Sequence, residues 1–193
     1  MAKPSDTRDK ILQAARDLFV ERGVQQTSLR DIAERLGLTK PALYYHFESR
    51  EALLASLVQP LIDDCEAFVA ARTGGGAQDA PTLLSEYFDL LYRHRVLLML
   101  LVRDLSTLGA LDLGMRLIAL RQRITALLIG SRAPLAERVR ATVAIGGLSD
   151  CVVELPDEPM EKVRAHAVEA ACAALKRARS AARARRAARS RSS

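Results

Sequence analysis

The chain has 193 residues, 49% of them apolar and 4% aromatic, with no tryptophan; it is long enough for a sizeable core of Leu, Ala, Val and Ile, and too apolar to be a disordered protein. A net charge of +6 favours a polyanionic partner, yet eight of the 29 Lys and Arg residues fall in 176–193, where there is no acid, leaving 21 bases against 23 acids elsewhere. No signal peptide opens the sequence, and its longest strongly apolar run, Val96 to Val102, is too short to span a bilayer, so a cytoplasmic protein without a membrane partner is expected.

Taken in order, residues 1–5 read as a loose arm. Asp6 or Thr7 can cap a first helix to about Arg22, with Ile11, Ala15, Leu18 and Phe19 in one stripe and Gly23 as its stop. Thr27 or Ser28 can cap a second helix, whose stripe is Leu29, Ile32, Ala33 and Leu36; Gly37 ends it. Thr39 caps a third, Lys40 to Phe47, with Pro41 in its first turn, where a missing N–H costs little. At about 100° per residue, Leu43 and Phe47 lie together as inward anchors and Tyr45 points away from them, beside Pro41 and Ala42. Tyr44 and His46 occupy the shoulders. A solvated face normally carries Glu, Lys or Gln, so outward tyrosines suggest a contact surface.

Ser49 opens a longer helix, Arg50 to about Ala71, with Leu53, Leu54, Leu57, Leu61 and Phe68 inside. Gly74 to Gly76, with Ala77 to Pro81, reads as a flexible loop. Pro81 starts the next helix, which kinks around Arg93 to Arg95. Val96 to Leu105 is apolar on nearly all sides and predicts a buried central helix. After a connection at Leu108–Leu113, an amphipathic helix runs to Ile129 and Gly130 ends it. Pro134 opens a helix to about Leu155, and Met160 to about Ala178 is the last. With no strand pattern, the fold class is all-α. The three cysteines, Cys65, Cys151 and Cys172, fit buried thiols in a reducing compartment.

The runs ILQAARDLFVERG and TSLRDIAERLGLTKPALYYHF, followed by Arg50 and EALL, resemble the DNA-binding head of the TetR-type (tetracycline-repressor-like) transcriptional repressors, closely over residues 7 to 56. The resemblance implies a helix-turn-helix domain in 1–50, with the motif at about 28–47, and a helical effector-binding and dimerisation domain in 51–178; the basic tail, 179–193, is expected to be disordered because Arg179/Arg183 and Arg185/Arg189 repel at i,i+4. In this reading the third helix enters the major groove of double-stranded DNA. Arg30, Thr39, Lys40, Tyr44, His46 and Arg50 would meet phosphates, and Pro41, Ala42 and Tyr45 would face bases; Thr27 and Ser28 belong to the same DNA-facing set. Arg50 stands where the family usually has lysine, which keeps the charge.

The effector site is implied by the resemblance alone. An unknown small-molecule effector would sit among the later helices, with Phe68, Tyr87, Leu91, Met99, Arg103 and Met115 as candidate lining residues. Arg103, if buried among leucines, needs an anionic partner such as Asp104, Glu86 or the ligand. The last two helices would meet their copies in a homodimer through Val139, Val143, Gly147, Val152, Val163, Ala167, Ala170 and Ala174. No enzyme, cofactor or metal site is expected. Asp63, Asp64, Cys65 and Glu66 are consecutive and cannot converge from one helix, and neither His94 nor His166 has a ligand partner at i+4. The expectation is thus a ligand-responsive homodimeric repressor on a pseudo-palindromic operator. The alternative is a non-specific DNA-packing protein driven by the tail.

Overall fold

Glycine and hydroxyl residues set the helix ends in the first third of the chain. The computed structural model describes residues 4–73, 79–103 and 113–189, with 4, 5 and 177–189 as backbone. Among them every regular element is a helix: α1 (Pro4–Arg22), α2 (Leu29–Leu36), α3 (Lys40–His46), α4 (Arg50–Ala70), α5 (Ala80–Arg93), α6 (Arg95–Arg103), α7 (Leu113–Ile129), α8 (Leu135–Glu154) and α9 (Met160–Arg189). Gly23 (φ 91°) and Gly37 (φ 64°) stop α1 and α2 in the left-handed region, which a side chain would strain.

Two compact units are present. One takes in the chain to Cys65 together with His94–Ala119; the other takes in Glu66–Arg93 and the chain from Leu120. The motif boundary near residue 50 is therefore not a packing boundary, since α4 carries residues of both. In the first unit, Ile11, Ala15, Leu18 and Phe19 of α1 share one core with Leu29 and Ile32 of α2, Leu43, Phe47, and Leu53, Leu54 and Leu57 of α4. Deleting such a buried leucine to alanine typically costs about 2–5 kcal/mol, so this core holds the head's geometry. In the second unit, α5 packs on α8 and α9, and α8 on α9. Arg164 Nη1 pairs with Asp89 Oδ2 at 2.9 Å across α9 and α5.

Several expectations are corrected. α1 begins at Pro4, because proline suits a first turn. α4 holds Pro60 in its interior, a helix-breaking residue that the pattern reading passed over. α6 is not buried all round: Leu100 and Leu101 are buried, whereas Val96, Val102 and Arg103 are exposed. A nine-residue helix packed on α1 buries one stripe and leaves its other side open. α9 continues to Arg189, so 179–189, expected to be disordered, extends the helix; the high helix propensity of Ala and Arg outweighs i,i+4 repulsion between arginines. The Gly74–Gly76 loop, the connection before Leu113, and Asp104 and Leu105 lie outside the described residues, as does 190–193. All three cysteines are thiols; Cys65 and Cys172 are buried, and Cys151 is half-buried.

Candidate nucleic-acid interface

The surface is built by two short helices, each held at both ends. Ser28 caps α2: the Asp31 N–H donates to Ser28 Oγ at 3.2 Å, and the Ser28 N–H donates back to Asp31 Oδ2 at 2.8 Å. This closed capping box satisfies two orphan donors at once. The Ser28 hydroxyl and N–H also hold the Asp31 carboxyl below its ordinary value of 3.8. After Gly37, the Leu38 N–H returns to the Ala33 carbonyl at 2.9 Å. Thr39 then caps α3, its Oγ1 accepting from the Ala42 N–H at 3.3 Å, with Pro41 in the first turn.

α3 is turned as its pattern requires. Leu43 and Phe47 are buried, while Lys40, Pro41, Tyr44 and Tyr45 are exposed and Ala42 and His46 half-buried. Tyr45 is 84% exposed, and Tyr44 42%. Lys40 Nζ lies 5.7 Å from the Tyr44 ring centroid, so the cation and the phenol form one edge. The Tyr45 and His46 rings meet edge to face at 5.3 Å. Positions 40, 41, 44 and 45 are neighbours on a helix, giving a patch of one cation, two phenols and a proline ring. Such a patch offers hydrogen-bond donors and flat apolar surface, and suits phosphates and base edges.

The remaining candidates are placed less uniformly. Ser28, Arg30 and Thr39 are exposed, and Arg30 pairs with Glu34 at 2.7 Å. Thr27 is corrected: it is 1% exposed and its hydroxyl donates to the Gly23 carbonyl at 2.9 Å, so it closes the α1–α2 turn and is not offered outward. Arg50 is half-buried and works inside the head, donating to the Val24 carbonyl at 3.1 Å and to Gln25 Oε1 at 3.2 Å. The Asp31 half of the capping box was missed, although the spacing Ser28–Asp31 signals it.

The six candidate effector residues divide between the two units. Phe68, Tyr87 and Leu91 are buried in the second unit, with the two rings 5.9 Å apart. Met99, Arg103 and Met115 belong to the first unit, where Met99 is half-buried and the other two are exposed. A secluded arginine in the second unit is Arg72, its side chain 13% exposed, with its guanidinium 3.6 Å from the Phe68 centroid and paired with Glu86. An apolar pocket in the first unit, lined by Phe19, Val24, Leu54, Leu57, Val58, Leu97, Leu100, Leu101 and Leu113, includes none of the six.

Of the dimer candidates, Val139, Val143, Gly147 and Ala170 are exposed and Ala174 is half-buried. Val152, Val163 and Ala167 are buried within the single chain, in which α8 packs on α9. Leu135, exposed one turn before Val139, was not anticipated. Among the described residues, no group of three or more His, Cys, Asp or Glu is placed to hold a metal ion, and no helix is long and apolar enough to cross a membrane.

Comparison with known proteins bears on the head and the fold separately. The family described as bacterial regulatory proteins, tetR family, matches residues 11–57. The transcriptional repressor KstR2 of Mycolicibacterium smegmatis is 36% identical over 62 residues, 32% of this chain and 30% of that protein. The transcriptional regulator TtgR of Pseudomonas putida is 47% identical over 58 residues, 30% of this chain and 26% of that protein. The match thus spans less than a third of the length of either relative. In fold, a transcriptional regulator from Aquifex aeolicus aligns with a TM-score of 0.71 at 21% identity, over 85% of this chain and 96% of that one. Residues 11–57 thus match the tetR family of bacterial regulatory proteins, and the chain shares its helical fold with that regulator.

Proposed function

We propose that the chain is a transcriptional repressor that binds DNA through α3, acts as a homodimer on a pseudo-palindromic operator, and releases it when a small molecule binds among the later helices. The observation that carries this is the exposure of Tyr45 and Pro41 on a two-turn helix whose opposite side is anchored by Leu43 and Phe47. A helix turned that way fits the major groove, about 12 Å wide. The names of the relatives, repressor and regulator, support the same reading.

A single short helix reads too few bases to be selective in a genome, so two copies, about 34–36 Å apart, are required. Effector binding then need shift that separation only enough to alter affinity by about 1–3 kcal/mol. α4 supports a coupling role, since it begins in the head and carries residues of both units. The test is selection of duplexes from a random-sequence pool, followed by anisotropy titration of the selected duplex. A marked preference over random duplex at moderate salt is expected; equal binding to both overturns the proposal.

A further inference from the structure

The two ends of α3 are secured by different means. Its start is held locally, by Thr39 and Pro41. Its end is held from elsewhere. Phe47 leaves the helix in extended backbone (φ −141°, ψ 113°), its N–H still on the Leu43 carbonyl at 3.0 Å. The Phe47 ring is buried, and the guanidinium carbon of Arg8, from α1, lies 4.9 Å from its centroid. The same guanidinium donates to Ser56 Oγ of α4 at 2.9 Å. Ser56 precedes Pro60 by one turn, and proline has no N–H to offer the Ser56 carbonyl, so α4 lacks a backbone hydrogen bond at that place. Arg8 is exposed, so its charge is held there without a large desolvation penalty.

We propose that Arg8 is a positioning residue for the DNA-reading helix: its cation over Phe47 and its hydrogen bond to Ser56 fix the end of α3 against α4. This rests on the reading of α3 as the helix that contacts DNA. Arg8 then governs affinity without itself touching a phosphate. A planar guanidinium can face the ring and donate at its edge together. Lysine in its place keeps the charge over Phe47 and loses the fork.

The experiment uses the full chain with Arg8→Ala and Arg8→Lys, and two readouts. The first is amide hydrogen exchange without DNA. In Arg8→Ala, exchange at Leu43–Phe47 should rise about three- to tenfold, the scale of removing an exposed cation–π interaction and a hydrogen bond. The α2 amides should stay unchanged, and Arg8→Lys should restore part of the protection. The second is affinity for the duplex selected by the wild-type protein, expected to fall about three- to tenfold with the dependence on salt unchanged. Unchanged exchange at Leu43–Phe47 overturns the proposal, and so does a uniform rise across α1, α2 and α3. A salt slope lowered by about 0.9 makes Arg8 a phosphate contact and overturns it too. If the wild-type protein selects no sequence, the repressor reading fails on its own, and hydrogen exchange still decides the role of Arg8.

Discussion

His94 Nε2 lies 2.9 Å from Asp64 Oδ2, joining residues thirty apart in sequence. His94 is the single residue between α5 and α6, and its carbonyl accepts from the Leu98 N–H at 3.0 Å in the first turn of α6. The imidazole is mostly buried and the carboxylate about half so. The pair therefore fixes the start of α6 to α4 within the first unit. His94→Ala should lower stability by about 1–2 kcal/mol, the scale of a partly buried hydrogen bond to a charged group. The check is urea unfolding, with a lower midpoint and an unchanged slope. An unmoved midpoint would mean that the pair contributes nothing.

Tyr45 and Lys40 sit on one patch but should answer differently to substitution. Tyr45 is almost wholly exposed, so Tyr45→Ala opens no cavity and should change stability by less than about 0.5 kcal/mol. If α3 reads DNA as proposed, with Tyr45 toward the bases, the ring should carry about 1–3 kcal/mol of preference for the selected sequence. Lys40→Ala should instead weaken binding to all sequences and lower the salt slope by about 0.9 per head. Anisotropy at three salt concentrations separates the two. A Tyr45→Ala protein with full preference would remove the ring from the reading surface.

The α2 cap gives a prediction with a definite sign in pH. Asp31 has its carboxyl pKa lowered by the Ser28 hydroxyl and then the Ser28 N–H. A carboxylate depressed in the folded state adds stability that is fully present above its ordinary 3.8 and is lost as pH falls through the lower folded value. Stability should therefore drop below pH 3.8 by more in the wild-type protein than in Asp31→Asn. Thermal melts from pH 6 down to about pH 2 read this directly, and parallel curves for the two proteins would show that the box contributes no linkage.

The residues read correctly in advance were those governed by local rules. Gly37, Thr39, Pro41, Leu43 and Tyr45 are all fixed by helix periodicity and by what each helix end requires, and a stretch of two short helices contains that information in full. Thr27 failed because a hydroxyl beside a helix start can cap outward or turn inward, and only the α1–α2 turn decides. Arg103 failed because hydrophobic neighbours in sequence do not say which side of a short helix finds a partner. His94 and Asp64 were each read as ordinary, since no periodicity relates positions thirty apart. A secluded arginine paired with an acid does exist, but it is Arg72 beside Glu86, fourteen residues on.

The basic segment 176–193 separates the repressor from a DNA-packing protein. Residues 176–193 hold eight cations and no acid. Deleting 179–193 should leave the preferred sequence unchanged while lowering affinity for random duplex and flattening its salt dependence, by about 0.9 for each phosphate the shortened chain no longer neutralises. Loss of nearly all affinity for the selected duplex as well would favour the packing reading.

The last prediction concerns the second copy. Leu135, Val139, Val143 and Gly147 follow one another at four-residue spacing on α8, and all four are exposed. The two valines are 53% and 61% exposed, although the opposite stripe, Ala141, Ala144, Ile145 and Leu148, is buried within the chain. A helix with apolar residues on both sides, one of them uncovered, matches the surface expected of a dimer, in which each valine buried would contribute about 1.5–3 kcal/mol. Gly147 lets a facing backbone come close. Val143→Arg would place a charge where it must be desolvated against its own copy across a twofold axis, where like charges meet. The expected result is a monomer by sedimentation equilibrium, with melting little changed for the isolated chain. Binding to a duplex with two half-sites should fall steeply, and binding to a single half-site should not. A Val143→Arg protein that still sediments as a dimer would move the interface off this stripe of α8.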